Sequence, residues 1–161
     1  MQTPEALSDY ERERGKPMPS KFHGFIQSNL ILALAEYRPA YALLNELTLE
    51  LDGEHRTPDV SIYASEDIDM TSEEVRVDIP PKIAVEIASP TQSDQDLADK
   101  ARDLLQAGVE SCWLVQPVLR TVTIFTEAGQ RTFSEGTVAD PVTGIELDVS
   151  DVFAGVGPQA S

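Results

Sequence analysis

Apolar residues at spacings of three and four open the readable pattern: Phe22, Phe25, Ile26, Leu30, Ala33, Leu34 and Tyr37. That period predicts an amphipathic helix of about four turns, with Ser20 as its N-cap and Pro39 as its stop. From Tyr41 the period changes to two. Leu43, Leu47, Leu49 and Leu51 face one way, with Asn45 the exception, and Leu44, Glu46, Thr48 and Glu50 face the other. Asp52-Gly53 is a turn signal. A second strand over 58–63 sets Val60 and Ile62 against Asp59, Ser61 and Tyr63. Pairing the two strands with their apolar sets together fixes the parity of the register. Glu46, Thr48, Glu50, Asp59 and Ser61 then share a polar face.

Residues 64–79 are polar and acidic and read as a loop closed by Pro80-Pro81. Ile83-Ala84-Val85-Glu86-Ile87-Ala88 follows, an apolar run with one charge in its middle. It reads as a central strand covered on both faces. A helix is predicted over 93–107, with Leu97, Ala101, Leu104 and Leu105 as its stripe and Gly108 as its stop. Strands over 112–116 and 121–126 flank Pro117, and a final strand region covers 131–147 with turns at Gly136 and Gly144. The order α-β-β-β-α-β-β predicts an α/β (mixed α+β) domain, a mixed sheet with helices packed on it. The chain has 161 residues, the length of one domain. That domain is placed at 20–153, between an irregular arm over 1–19 and a tail over 154–161.

Charge changes the picture. With 12 basic against 28 acidic residues the net charge is −16. Such a surface repels phosphate backbones, so contact with nucleic acid needs a bound cation or a local basic patch. Arg12, Arg14, Lys16 and Lys21 crowd near the start and are either a solvated segment or such a patch. No apolar window is long enough for a membrane span, and 1–21 has no apolar core of a signal peptide. The lone Cys112 lies in an apolar run and reads as a buried small hydrophobe. These features predict a cytoplasmic chain with no membrane contact.

Glu86 is the most informative residue. A carboxylate in a buried strand costs several kcal/mol unless it is compensated. It is either half of a structural ion pair or a metal-binding or catalytic group. Asp59, on the polar face, is its candidate partner. Carboxylates without His or Cys suit a hard cation, Mg²⁺ or Mn²⁺. Lys100 borders the apolar stripe of its helix. It either snorkels along that stripe or reaches back to the carboxylates, where it balances charge, orients a water or steadies a phosphate. His23, beside Phe22 in the first helical turn, reads as a packed histidine or as an accessory to the site. His55, in the turn, carries no signal.

Thr57-Pro58-Asp59-Val60, Val85-Glu86-Ile87-Ala88-Ser89-Pro90-Thr91, Asp96, Lys100, Ala107-Gly108-Val109 and Trp113-Leu114-Val115 resemble the Uma-two (Uma2) family of restriction endonucleases, within the PD-(D/E)xK nuclease superfamily. Pro19-Ser20-Lys21-Phe22-His23-Gly24, Asn45-Glu46-Leu47-Thr48 and Asp140-Pro141-Val142-Thr143-Gly144-Ile145 fit the same pattern. The resemblance spans about 17–153. It implies a restriction-endonuclease-like fold, a mixed central sheet flanked by helices, and a metal-dependent endonuclease acting on nucleic acid, DNA foremost. By that pattern Asp59 and Glu86 hold the metal, the Ile87 carbonyl adds a ligand, and Glu46 helps hold the metal or a water. The superfamily lysine two residues after the glutamate is Ala88 here, so Lys100 would serve from the following helix. A homodimer would let so small a nuclease reach two strands. The competing expectation is a non-cleaving nuclease-like module that pairs with itself or with a protein partner.

Overall fold

The computed structural model describes residues 20–156. The arm over 1–19, with Arg12, Arg14 and Lys16, and the end of the tail over 157–161 lie outside them. Ser20 caps the first helix, α1 (Lys21–Leu34), by accepting the His23 N–H at 3.2 Å. A 3₁₀ turn over Ala35–Tyr37 ends it before Pro39. The central sheet has six strands in the order β1 (Tyr41–Asn45), β4 (Val60–Ala64), β6 (Ile83–Ile87), β7 (Ser111–Gln116), β8 (Thr121–Thr126), β9 (Gly129–Phe133). Only the β6–β7 pair is parallel. Its crossover is α2 (Asp94–Gln106), as a parallel neighbour requires. Ser93 caps α2 through the Asp96 N–H at 3.1 Å. Gly108, at φ 108, turns the chain out of it in a conformation that favours glycine.

Side-chain alternation along β6 divides the core between the two faces. Ile83, Val85 and Ile87 pack with Ile26, Leu30 and Leu34 of α1 and with Val149 and Val152 of the short α3 (Val149–Val152). Ala84 packs on the other face, with Leu97, Ala101 and Leu104 of α2, and Ala88 lies against the same cluster. Glu86 has the parity of the two alanines and faces α2. The chain stays packed to Val156, which is buried against the α1 side.

The predicted strand over 41–51 is divided. Glu46 adopts φ 55, a left-handed conformation that no strand continues through. Beyond it β2 (Thr48–Leu51) leaves the main sheet. Asp52 and Gly53, at φ 52 and 76, form a two-residue turn with both φ positive and return the chain as β3 (Glu54–Arg56). β5 (Arg76–Val77), in the region read as loop, pairs parallel to β2. The shared polar face of Glu46, Thr48, Glu50, Asp59 and Ser61 is therefore corrected. Glu50 is exposed on the small sheet, opposite His55, while Asp59 and Ser61 are fully buried. Tyr63 is buried too, because β4 is covered on both faces. The parity argument holds where the strands do pair: Leu43 lies opposite Ile62 and Leu44 opposite Ser61. The final strand region resolves into β9, the hairpin β10 (Thr137–Ala139) and β11 (Glu146–Asp148), and α3. Among the described residues no helix is long and apolar enough to cross a membrane.

One buried carboxylate secures this end of the chain. Asp140 Oδ1 accepts the Trp113 Nε1–H at 2.9 Å. Its Oδ2 accepts the Val142 and Thr143 backbone N–H groups at 3.2 and 2.8 Å, and the Thr143 hydroxyl at 2.9 Å. Asp140→Ala would strand the indole N–H in the core and loosen the β10–β11 turn. We expect a loss of about 3 kcal/mol in urea-unfolding free energy.

Candidate active site

The site lies where β4 begins and β6 ends. β4 and β6 pair antiparallel with Val60 opposite Val85, and continuing that register sets Asp59 across from Glu86. Asp59 is fully buried and its carboxylate is held from two sides. Oδ1 meets His23 Nε2 at 2.9 Å, and Oδ2 accepts the Ile87 N–H at 2.6 Å. Its backbone carbonyl accepts the Gln27 Nε2–H at 3.0 Å and the Glu46 N–H at 3.1 Å. His23 and Gln27, four residues apart on α1, share the helix face turned to Asp59.

Glu86 is 5% exposed. Lys100 Nζ lies 3.7 Å from its Oε2, an ion pair between β6 and α2. The ammonium is buried and has no hydrogen-bond partner among the described residues. The short side chains of Ala84 and Ala88, on either side of Glu86, let α2 come close enough for this reach. A lysine at 88 would occupy the space that Leu97 and its neighbours fill. Cys112, opposite Ala84 on β7, floors the pair. Burial first and then the Glu86 carboxylate push its thiol pKa up, against the smaller opposing pull of Lys100. It stays a neutral, inert packing group at neutral pH.

The structure thus brings Asp59, Glu86, Ile87 and Lys100 to the end of two adjacent strands. Glu46, half-buried, stands beside Asp59 through its backbone bond. His23 holds Asp59 directly. Glu50 is elsewhere. Gln27 went unnoticed in the sequence, where its only signal was the spacing of four from His23. Among the described residues no three His, Cys, Asp or Glu side chains converge as a metal cage. A hard cation that keeps its waters needs fewer, since Mg²⁺ is commonly held by one or two carboxylates. The donor set fits such an ion: two carboxylates and a carbonyl, all oxygen. The Ile87 C=O leaves the same edge of the strand as its N–H, on the Asp59 side.

A mixed six-stranded sheet with its carboxylates at one end, between helices on both faces, is the restriction-endonuclease-like nuclease fold. A crystal structure described as a putative nuclease belonging to DUF820, from Anabaena variabilis ATCC 29413, superposes with a TM-score of 0.74. It is 24% identical, over 86% of this chain and 83% of that one. A cryo-electron-microscopy structure of a DrdV–DNA complex aligns at TM-score 0.46 and 12% identity, over 89% of this chain and 11% of that one. No match was found among curated proteins. The Uma2 family model, described as "Putative restriction endonuclease", matches residues 5–155. The chain belongs to the Uma2 family.

A contact distant in sequence fastens α2 over Glu86. Arg56 of β3 donates from Nε to Asp103 Oδ2 at 2.5 Å and from Nη2 to Asp103 Oδ1 at 2.9 Å, while Nη1 reaches the Leu51 carbonyl at 2.8 Å. Asp103 lies three residues after Lys100 on α2. The Arg56 hydrogen bond holds the Asp103 carboxyl below its ordinary 3.8, partly offset by burial. A carboxylate with a depressed folded pKa stabilises the fold fully above the unfolded value. That stabilisation is lost as pH falls through the folded one. Asp103 is partly exposed, so solvent screening keeps the effect small. Asp103→Ala should lower stability by about 1 kcal/mol at neutral pH. In urea melts the difference from wild type should shrink as pH drops below 3.8.

Proposed function

We propose that this chain is a metal-dependent endonuclease that hydrolyses phosphodiester bonds of nucleic acid, DNA foremost, at the Asp59–Glu86–Lys100 site. The observation that carries the reading is the Lys100 ammonium, buried 3.7 Å from Glu86 Oε2 without a hydrogen-bond partner among the described residues. A buried ammonium that has its counter-charge but no hydrogen bond keeps part of its desolvation cost. A water or phosphate oxygen beside it removes that cost, and a nuclease brings both there. Asp59, Glu86 and the Ile87 carbonyl would hold Mg²⁺ or Mn²⁺, which when bound would acidify a water and offset phosphate charge. His23 fixes the Asp59 carboxylate in orientation. Lys100 positions the attacking water or neutralises charge developing on the phosphate. Glu46, beside Asp59, is an accessory acid for metal or water.

One observation favours the competing reading, a non-cleaving nuclease-like module. Both Asp59 oxygens already accept protein hydrogen bonds, as a purely structural carboxylate would. Two measurements separate the readings. Wild-type protein should nick plasmid DNA with Mg²⁺ or Mn²⁺, and Glu86→Ala and Lys100→Ala should slow this by roughly 100-fold or more with the fold intact. Calorimetric titration should show Mn²⁺ binding that Glu86→Ala abolishes. Equal cleavage by wild type and Glu86→Ala would remove the site, and no Mn²⁺ binding at millimolar metal would favour the non-cleaving module.

A further inference from the structure

Beside the carboxylates, where β6 and β7 end, an open cavity of about 420 Å³ is lined in part by His23, the histidine bonded to Asp59. That volume lies within the range of small-molecule sites. Its walls are largely apolar: Phe22 of α1, Leu97 of α2, and Val118 and Leu119 of the turn between β7 and β8. Phe22, Val118 and Leu119 are 48%, 80% and 63% exposed. Large apolar side chains left in water around one concavity mark a binding surface.

The polar groups in the cavity select a neutral occupant. Arg120 lines it, but its guanidinium donates to the Val156 and Phe153 carbonyls at 2.6 and 3.4 Å and lies 5.5 Å from the Phe153 ring. Its charge is committed within the fold, and Asp94 in the wall adds a negative one. A phosphate is therefore poorly served. Gln92 and Gln116 turn their Oε1 atoms to the Ser89 N–H and the Thr121 hydroxyl, which leaves amide N–H groups for a ligand. His23 Nδ1 is buried without a hydrogen-bond partner among the described residues. Apolar walls with an aromatic ring, plus a few donors and acceptors, suit a flat ring with a polar edge.

We propose that this cavity takes a nucleobase of the strand being cut, turned out of its stack beside the scissile phosphate. The proposal rests on the nuclease reading for the strand, and supplies what the −16 charge withholds. Stacking and edge hydrogen bonds do not depend on a basic surface, whereas phosphate contacts do. Binding through this cavity is accordingly less salt-sensitive than binding through lysines.

The test uses the full chain, without divalent metal, and probes that carry no phosphate. Adenosine and thymidine are titrated into isotope-labelled protein. The Leu97 and Leu119 methyl signals and the Gln92 and Gln116 side-chain amide signals should shift and saturate, and inorganic phosphate should move none of them. Leu119→Glu, at an exposed position that leaves the fold intact, should weaken nucleoside binding about tenfold. Gln116→Trp, which fills the cavity, should abolish it. In cleavage assays both variants should raise KM more than they lower kcat. Nucleoside shifts in a chain that cuts nothing would uphold the cavity and remove the nuclease reading. Absent shifts, the same shifts with phosphate alone, or cleavage with unchanged KM in both variants would overturn the cavity proposal even where cleavage stands.

Discussion

Asp59 is the residue on which the site end of the fold depends. A carboxylate wholly out of water is tolerated only when hydrogen bonds replace its hydration. His23 on α1 and the Ile87 N–H at the end of β6 serve the carboxylate, and Gln27 and Glu46 serve the backbone carbonyl of the same residue. Satisfying one buried group therefore fixes where α1 lies, how far β6 runs and where β1 must stop pairing. The left-handed Glu46 fits this picture. Its N–H turns to the Asp59 carbonyl, and the chain beyond it leaves for another sheet.

On the opposite face the controlling factor is size. Ala84 and Ala88 flank Glu86 with side chains too short to hold α2 away, so the helix settles on the strand and Lys100 meets the carboxylate. This gives a physical account of the departure from the superfamily lysine. An amine beside the glutamate can come from the strand or from the helix above it, but the two compete for one volume. With alanine on the strand, the helix fills that volume and supplies the amine. The Arg56–Asp103 pair then ties the same helix to the β2–β3 hairpin, so the small sheet takes part in fixing Lys100.

The residues differ in how plainly the sequence announced them, for physical reasons. Glu86 stood out because one charge in a run of β-formers has a large desolvation cost, which any fold must answer. Lys100 stood out because helical periodicity put it at the rim of an apolar stripe. Both readings needed only local spacing. His23 was ambiguous, because a lone histidine beside a phenylalanine packs equally well with or without a carboxylate, and its partner lies 36 residues away. Asp103 and Arg56, separated by 47 residues, left no local trace. The division of the strand at Glu46 was missed because alternation in Leu47, Leu49 and Leu51 continues unbroken through a residue whose φ has changed sign. The pattern of side chains survives a kink that the sheet does not. The four-residue α3 and the two-residue β5 are too short for any periodicity to register.

The acidic charge finally separates into parts with different consequences. Asp59, Glu86 and Asp140 are engaged inside the protein with His23, Lys100 and the Trp113 indole, and the partly exposed Asp103 is paired with Arg56, so these four add little to the field that an approaching polymer meets. The exposed acids, such as Glu50, Glu66 and Asp67, dominate that field and oppose a polyanion at distances within a Debye length. A nuclease with such a surface cannot gather substrate by long-range attraction. On the proposed reading its affinity would arise at short range, from a cation held between Asp59 and Glu86 and from an uncharged contact with the base. The cavity beside His23 lies within one side chain of the carboxylates, where such a contact would act on the nucleotide being cut and nowhere else along the strand. An acidic surface combined with a neutral base pocket therefore favours nucleotides that are already unpaired, because their unstacking cost is lowest.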